Sequence, residues 1–257
     1  VSGRQAEPAR VRRWFPTHRI GLLSPSANPA VEPEIRQLLP GPAALHVARL
    51  PVMPGTTLEQ RNAAYPGHVE AALGAFGALA LDAVIVGITG PSYALAAEDD
   101  QALQDRLSAG AGRPVILASR AIAAAVAALG RSRLVLVSPY PGWLTERAER
   151  YWASAGLELV ESVKLSDSFR AYDLTPEELA EGLARLAPPA DAVVLVSGTG
   201  AATLDAMEWM RGRVGVPLLA SNLAAAFVAC RRLGLPAGAA MAACCKELAA
   251  LLTPPGP

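Results

Sequence analysis

The sequence predicts an α/β fold of two similar Rossmann-like lobes. Each holds a parallel sheet, and a pseudo-twofold axis relates the two across a ligand cleft. Three observations predict this. The chain repeats itself: RIGLLSP at 19–25 returns as RLVLVSP at 133–139, and DAVIVG at 82–87 returns as DAVVLV at 191–196. RPVILASRAIAAAVAALG from Arg113 returns as VPLLASNLAAAFVACRRLG from Val216, in the same order and at a spacing of about 105–115 residues. That period is too long for a solenoid and fits two copies of one small domain. Next, short apolar runs ending in Ser, Gly or Pro alternate with Ala/Leu/Glu/Arg-rich stretches, the pattern of βαβ units. Last, the apolar runs are near-continuous, as in parallel strands covered by helices on both faces.

The elements follow in chain order. Residues 1–18 carry Arg4, Arg10, Arg12 and Arg13 with little periodicity and are expected to form a flexible N-terminal arm. A first lobe over 19–130 takes strands at 19–24, 44–50, 82–88 and 114–118, each an apolar run. Helices at 31–39, 57–79, 97–109 and 119–129 fill the stretches between them. A second lobe over 131–235 takes strands at 133–138, 157–163, 191–197 and 216–220, with helices at 143–155, 175–187, 201–213 and 222–233. Thr175-Pro176-Glu177-Glu178 is a helix start, with Thr as cap, Pro in the first turn and acids at the positive end of the dipole. Residues 236–257 give a last helix at 236–252, expected to pack back on the first lobe, and a tail ended by Pro254–Pro257.

Composition bounds the function. With 23 basic and 23 acidic side chains the formal net charge is zero, which argues against a nucleic-acid footprint. Half of the 257 residues are apolar, enough for a substantial core. No apolar run approaches the ~20 residues of a membrane helix, and the polar start lacks the pattern of a secretory leader. A cytoplasmic protein is expected, with no membrane or nucleic-acid partner; association with further copies of itself is compatible with the sequence. Cys230, Cys244 and Cys245 lie in Ala-rich helical sequence at spacings that fit no zinc site or disulfide framework and read as small core residues. The three His are scattered, so neither a metal site nor a His-based triad is expected.

In open parallel sheets, ligands bind beyond the carboxyl ends of the strands. Four loops stand there: Ser24–Asn28, Ile88–Tyr93, Ser138–Trp143 and Ser197–Thr203. Two come from each half, so all can converge on one cleft. Rich in Gly, Ser, Thr and Pro, they free backbone N–H groups to meet an anion, with helix N-termini behind them. The expected ligand is therefore a small molecule bearing a carboxylate or phosphate.

At these loops the sequence resembles the aspartate/glutamate racemase superfamily, and within it the maleate isomerase and arylmalonate decarboxylase branch. The residues that carry the resemblance are PSANPAVEPEI at 25–35, ITGPSYAL at 88–95, SPYPGWLTERA at 138–148, DSF at 167–169 with LTPEEL following, and SGTGAATLDA at 197–206. It spans residues from about 19 to 250. The resemblance implies two α/β lobes and catalysis without metal or organic cofactor. It also implies two cysteines facing each other across the cleft in the racemases and maleate isomerases, and one in the decarboxylases. Here the first thiol position falls on Ile88 and the second on Gly198; an Asn that binds substrate carboxylate in maleate isomerases falls on Ser168. Two-base proton transfer and thiolate addition by the family route are then unavailable.

What remains is a binding apparatus. Tyr140, Thr89 and Thr199 are the expected catalytic groups. Asn28, Ser26, Gly90, Ser92, Ser168, Gly198, Gly200 and Ile88 are the expected substrate-binding set. The favoured reading is a cofactor-independent enzyme on a small carboxylate or dicarboxylate, running a decarboxylase or other lyase-type reaction. Loss of CO2 needs mainly an anion hole for the enolate, and Ile88 adds an apolar wall against the departing carboxylate. The final proton would come from Tyr140 or water. Asp167 and Asp205 are the candidate bases, and each also reads as a helix cap or surface group. Two alternatives stand beside this reading: an isomerase or racemase with a non-cysteine acid–base pair, and a non-catalytic carboxylate-binding protein. A dinucleotide site at Gly198-Thr199-Gly200 fails because Thr203 stands where a third glycine belongs.

Overall fold

The computed structural model describes residues 16–252. The arginines of the expected arm and the proline-rich tail lie outside the described residues, and within that arm His18 already begins a strand. The first lobe runs β1 (His18–Pro25), α1 (Val31–Leu38), β2 (Ala43–Leu50), α2 (Leu58–Leu73), β3 (Ala83–Val86), α3 (Ala97–Ala111), β4 (Val115–Leu117) and α4 (Ala118–Ala128). The second runs β5 (Arg133–Ser138), α5 (Gly142–Ser154), β6 (Glu158–Lys164), α6 (Pro176–Ala184), β7 (Ala192–Val196), α7 (Leu204–Met210), β8 (Leu218–Ala220) and α8 (Ser221–Leu233). Helices α9 (Ala239–Cys244) and α10 (Lys246–Ala250) close the chain.

Each lobe has a four-stranded sheet, ordered β2-β1-β3-β4 and β6-β5-β7-β8, and every pairing is parallel. The repeated sequences thus occupy equivalent strands: β1 matches β5, β3 matches β7, and β4 matches β8. Because parallel strands are buried on both faces, successive side chains alternate between two apolar layers. In the first lobe Ile20, Leu22, Ala83, Ile85 and Ile116 face one core. Leu23, Val84, Val86, Val115 and Leu117 face another, with Tyr65 and Val69 of α2. The first core continues through Leu134–Val137, Val193–Val196 and Phe227, so a single apolar mass joins the lobes. At that junction α4 packs on its counterpart α8, the contact expected of two copies facing each other about a twofold axis.

Local chemistry sets the helix ends. Thr57 and Gln60 form a reciprocal capping box at the start of α2, and Thr175 and Glu178 do the same for α6 with Pro176 in its first turn. Four expected helices are shorter or broken. The helix expected over 57–79 ends at Leu73, followed by one 3-10 turn and by Gly77 at φ +55°. The helix expected over 175–187 ends at Ala184. The one expected over 201–213 covers only 204–210, because its first residues are held in the cleft loop. The last, 236–252, splits at Cys245, whose backbone is extended at φ −147°. The break lets Met241 and Cys244 on one side, and Cys245 and Leu248 on the other, all reach the core. Helix α9 lies against α1 and α7. Among the described residues, no helix is long and apolar enough to cross a membrane.

Candidate active site

In each sheet the connections leave in opposite directions from the two central strands, so a crevice opens at their carboxyl ends. The loops after β1, β3, β5 and β7 meet there and border a cavity of about 290 Å³. Of the residues expected to act on or bind substrate, Ser26, Asn28, Ile88, Thr89, Gly90, Tyr140, Thr199 and Gly200 line it. They come from both lobes and touch directly. The Thr199 hydroxyl donates to the Gly87 carbonyl at 2.8 Å, and the Asn28 amide donates to the Thr199 hydroxyl at 3.1 Å. The Asn28 side-chain oxygen accepts from the N–H groups of Ala30 and Val31, both at 3.0 Å, which orients its amide across the cleft.

Tyr140 reaches across in the other direction, its hydroxyl 3.0 Å from the Thr89 hydroxyl. Burial pushes its pKa up to about 12, against the pull of Thr89 and Ser197. Tyr140 is therefore a neutral O–H donor at ordinary pH. The backbone N–H groups of Thr89, Gly90, Thr199 and Gly200 find no acceptor among the described residues. Hydroxyls and free N–H groups on two facing loops are the donor set that an oxyanion requires.

Glu34 of α1 fixes the second-lobe loop. Its carboxylate accepts from the N–H and hydroxyl of Thr203, the N–H of Leu204 and the side-chain amide of Asn222. It thereby caps α7 from the opposite lobe. Burial pushes the Glu34 pKa up, while these donors pull it down.

Two further connections line the cavity, those after β2 and β6. They too are equivalent in the two lobes. The first supplies Met53, Thr56 and the α2 residues Arg61, Asn62 and Tyr65; the second supplies Phe169 and Tyr172. Tyr140 stacks on Phe169 at 6.1 Å and 15°, and Phe169 meets Tyr172 edge-on at 5.0 Å. Sequence reasoning passed over all of these. The available signals were the repeat itself, which makes the post-β2 and post-β6 loops partners, and an arginine in the first turns of a helix.

Three expected substrate contacts do not line the cavity. Ser168 is exposed and turns to Ser166, 3.3 Å away, while its neighbour Phe169 takes the wall. Ser92 is buried behind the loop, where its hydroxyl accepts from Ser119 at 2.9 Å. Gly198 lies beside Tyr140 without bordering the cavity: its φ is +95°, and a Cβ built there falls 2.7 Å from the Tyr140 hydroxyl. A cysteine at this position is strained unless backbone and tyrosine both move. The candidate bases are elsewhere too. Asp167 is exposed and pairs with Lys164, which lowers its pKa; Asp205 borders a separate cavity alongside Glu34 and Cys244. Among the described residues lining the central cavity there is no carboxylate, imidazole or thiol, and Arg61 is the sole charged side chain. Nor do three His, Cys, Asp or Glu come together at metal-binding distance among the described residues.

A family profile described as arylmalonate decarboxylase matches residues 20–244. Maleate isomerases from Geobacillus stearothermophilus and Alcaligenes faecalis are each 26% identical over 234 residues, covering 84% and 85% of this chain and 92% of each relative. The crystal structure of the maleate isomerase Iso from Pseudomonas putida S16 superposes with a TM-score of 0.81 at 19% identity, over 91% of this chain and 99% of that one. A crystal structure of arylmalonate decarboxylase superposes with a TM-score of 0.71 at 23% identity, over 90% and 98%. At such identities the superpositions speak to the fold, which is the two-lobed α/β architecture described above.

Proposed function

The chain belongs to the arylmalonate decarboxylase family, and from that premise we propose that it is a cofactor-independent lyase that releases CO2 from an activated small carboxylic acid without using a thiol. The observation that carries this is the make-up of the cavity among the described residues: O–H, N–H and amide donors, one guanidinium, and no side chain suited to abstract a proton or attack carbon. Decarboxylation needs no base. The C–C bond to the departing carboxylate breaks, its electron pair stays on the α-carbon, and the remaining carboxyl takes up the charge as an enediolate. Donors from Thr89, Tyr140, Thr199 and the loop N–H groups meet that charge as it forms. The apolar wall of Ile88, Pro91 and Leu144 disfavours a charged carboxylate and favours neutral CO2. A proton from Tyr140 or water then completes the product, and water reprotonates the tyrosine.

The isomerase and racemase reading draws support from the names of the relatives. It requires a group that removes an α-proton or adds to a double bond, and the described cavity residues offer none. The non-catalytic reading keeps the same carboxylate contacts without turnover. Incubation with a panel of substituted malonic acids in deuterium oxide tests all three. The proposal expects one CO2 released per product molecule and one deuterium at the product α-carbon. Deuterium exchange into monoacids that lose no CO2 would favour the isomerase class instead. Binding with neither reaction would leave a binding protein.

A further inference from the structure

Behind the cavity lies a set of buried hydroxyls of which the proposed reaction uses only half. Thr89 and Tyr140 line the cavity; Tyr93 and Ser197 do not border it. Tyr93 stands in the 3-10 turn Ser92–Ala94, in the connection after β3, and Ser197 directly follows β7. The two meet across the lobe junction, hydroxyl to hydroxyl, at 2.7 Å. Thr89 and Tyr140 meet in the same way at 3.0 Å. Each lobe thus gives one phenol and one aliphatic hydroxyl, and all four residues are buried. Outside this set none of the four hydroxyls has a hydrogen-bond partner among the described residues. Burial raises the pKa of both phenols, and Thr89 and Ser197 each draw both of them down. The four oxygens are therefore one cluster rather than two separate pairs. The Tyr93 ring is wedged in place. It meets Tyr140 edge-on with centroids 6.4 Å apart and packs on Tyr151 at 5.5 Å and Trp152 at 5.8 Å.

Counting protons gives the cluster a direction. Each hydroxyl donates once and can accept twice. A phenol, with a pKa of about 10, is far more acidic than an aliphatic hydroxyl, so Tyr93 donates to Ser197. The serine proton then needs an acceptor of its own, and the Tyr140 oxygen is the one within the cluster that faces the cavity. With Ser197 donating to it, Tyr140 cannot donate back. Its proton is left for Thr89 or for a ligand, and an anion in the cavity is the stronger acceptor of the two.

We propose that Tyr93 is a positioning residue, acting through Ser197 to aim the Tyr140 proton into the cavity, and that Tyr140 delivers this proton to one face of the enediolate. The inference rests on the proposed lyase reaction and selects Tyr140 over water as the donor. The electron pair left on the α-carbon takes the Tyr140 proton and becomes the new C–H bond. The resulting phenolate accepts from Ser197, itself backed by Tyr93, until solvent water returns a proton to it. A product with a stereogenic α-carbon then forms as a single enantiomer.

The test follows CO2 release from a panel of substituted malonic acids that includes 2-methyl-2-phenylmalonate, whose product is chiral. It compares the native protein with Tyr93→Phe, Ser197→Ala, Tyr140→Phe and the double variant Tyr93→Phe/Tyr140→Phe. Tyr93→Phe removes one oxygen, keeps the ring contacts and should leave the melting temperature little changed. Its kcat is expected to fall about ten-fold, the loss of one hydrogen bond, with KM within about two-fold. The enantiomeric excess should fall with it, because water then competes for the carbanion. Ser197→Ala should act in the same direction. On the Tyr140→Phe background the Tyr93 change should cost nothing further, since its effect passes through a hydroxyl already removed. Unchanged kcat in Tyr93→Phe, a Tyr93 effect that persists in full without the Tyr140 hydroxyl, or a racemic product from the native protein overturns the positioning role and leaves the lyase standing. If the native protein releases CO2 from none of the panel, the lyase reading falls and the positioning role falls with it.

Discussion

Tyr140 shows how much a single residue's surroundings decide. Its hydroxyl lies between the loops of both lobes, 3.0 Å from Thr89, and its ring stacks on Phe169. A phenylalanine keeps the stacking and removes only the donor. Under the proposed reaction, Tyr140→Phe is expected to lower kcat for CO2 release by about 10²-fold, the usual effect of removing one oxyanion donor, with the melting temperature little changed. The sign of the pH effect follows from burial. The folded-state pKa is raised to about 12, so the proton is held at all lower pH and lost only as pH climbs through that value. Between about pH 6 and about pH 9 the rate should show no limb from this group. A basic limb in that interval that disappears in Tyr140→Phe would contradict the assignment. Tyr140, Thr89 and Thr199 were legible in sequence because each follows a strand end in a repeated context. Ser168 was misplaced by one residue: the chain bends there, Ser168 turns back to Ser166, and Phe169 faces the cavity instead.

At the scale of elements, Glu34 joins α1 to the start of α7. It explains why the helix expected from 201 begins only at Leu204. Thr203 gives its N–H and its hydroxyl to this carboxylate rather than to a longer helix. Removing the acceptor leaves several buried donors unmet at a junction between lobes. Glu34→Ala should therefore lower stability by about 1–3 kcal/mol or more, read as a lower urea midpoint at unchanged slope. An unchanged midpoint would show that the contact is incidental. Elements whose ends are set by local chemistry were legible in advance, as with the capping box of Thr175 and Glu178. The split between α9 and α10 was not, because Met-Ala-Ala-Cys-Cys-Lys-Glu-Leu contains no glycine or proline. There the burial of residues on both sides of Cys245 overrides helix propensity.

At the scale of the whole molecule the repeat is the principal message of the sequence, and the fold follows from it. RIGLLSP and RLVLVSP mark the central strands β1 and β5, and the two sheets share one strand order. The cleft loops could be read because small polar residues follow apolar runs at equivalent strand ends in both halves. The α2 wall could not: Arg61 and Asn62 look like ordinary helix-surface residues until the second lobe is laid across them. The same two-lobed arrangement governs the late cysteines. Cys230, Cys244 and Cys245 are all buried, on α8 and at the α9–α10 junction, and none borders the central cavity. Burial pushes the Cys230 and Cys244 thiols up to about 12 and the Cys245 thiol up to about 11. Alkylation requires an accessible thiolate, so all three should react slowly while the protein stays folded. Native protein held with iodoacetamide is expected to retain its activity, with labelling by mass only after denaturation. Cys244 is the critical case, because it borders the neighbouring cavity that shares Tyr172 and Gly200 with the central one. If activity falls in step with labelling of Cys244, and Cys244→Ser abolishes it without unfolding the protein, then a thiol takes part after all. The chemistry would then have moved to that second cavity, and the thiol-free lyase proposal would fail.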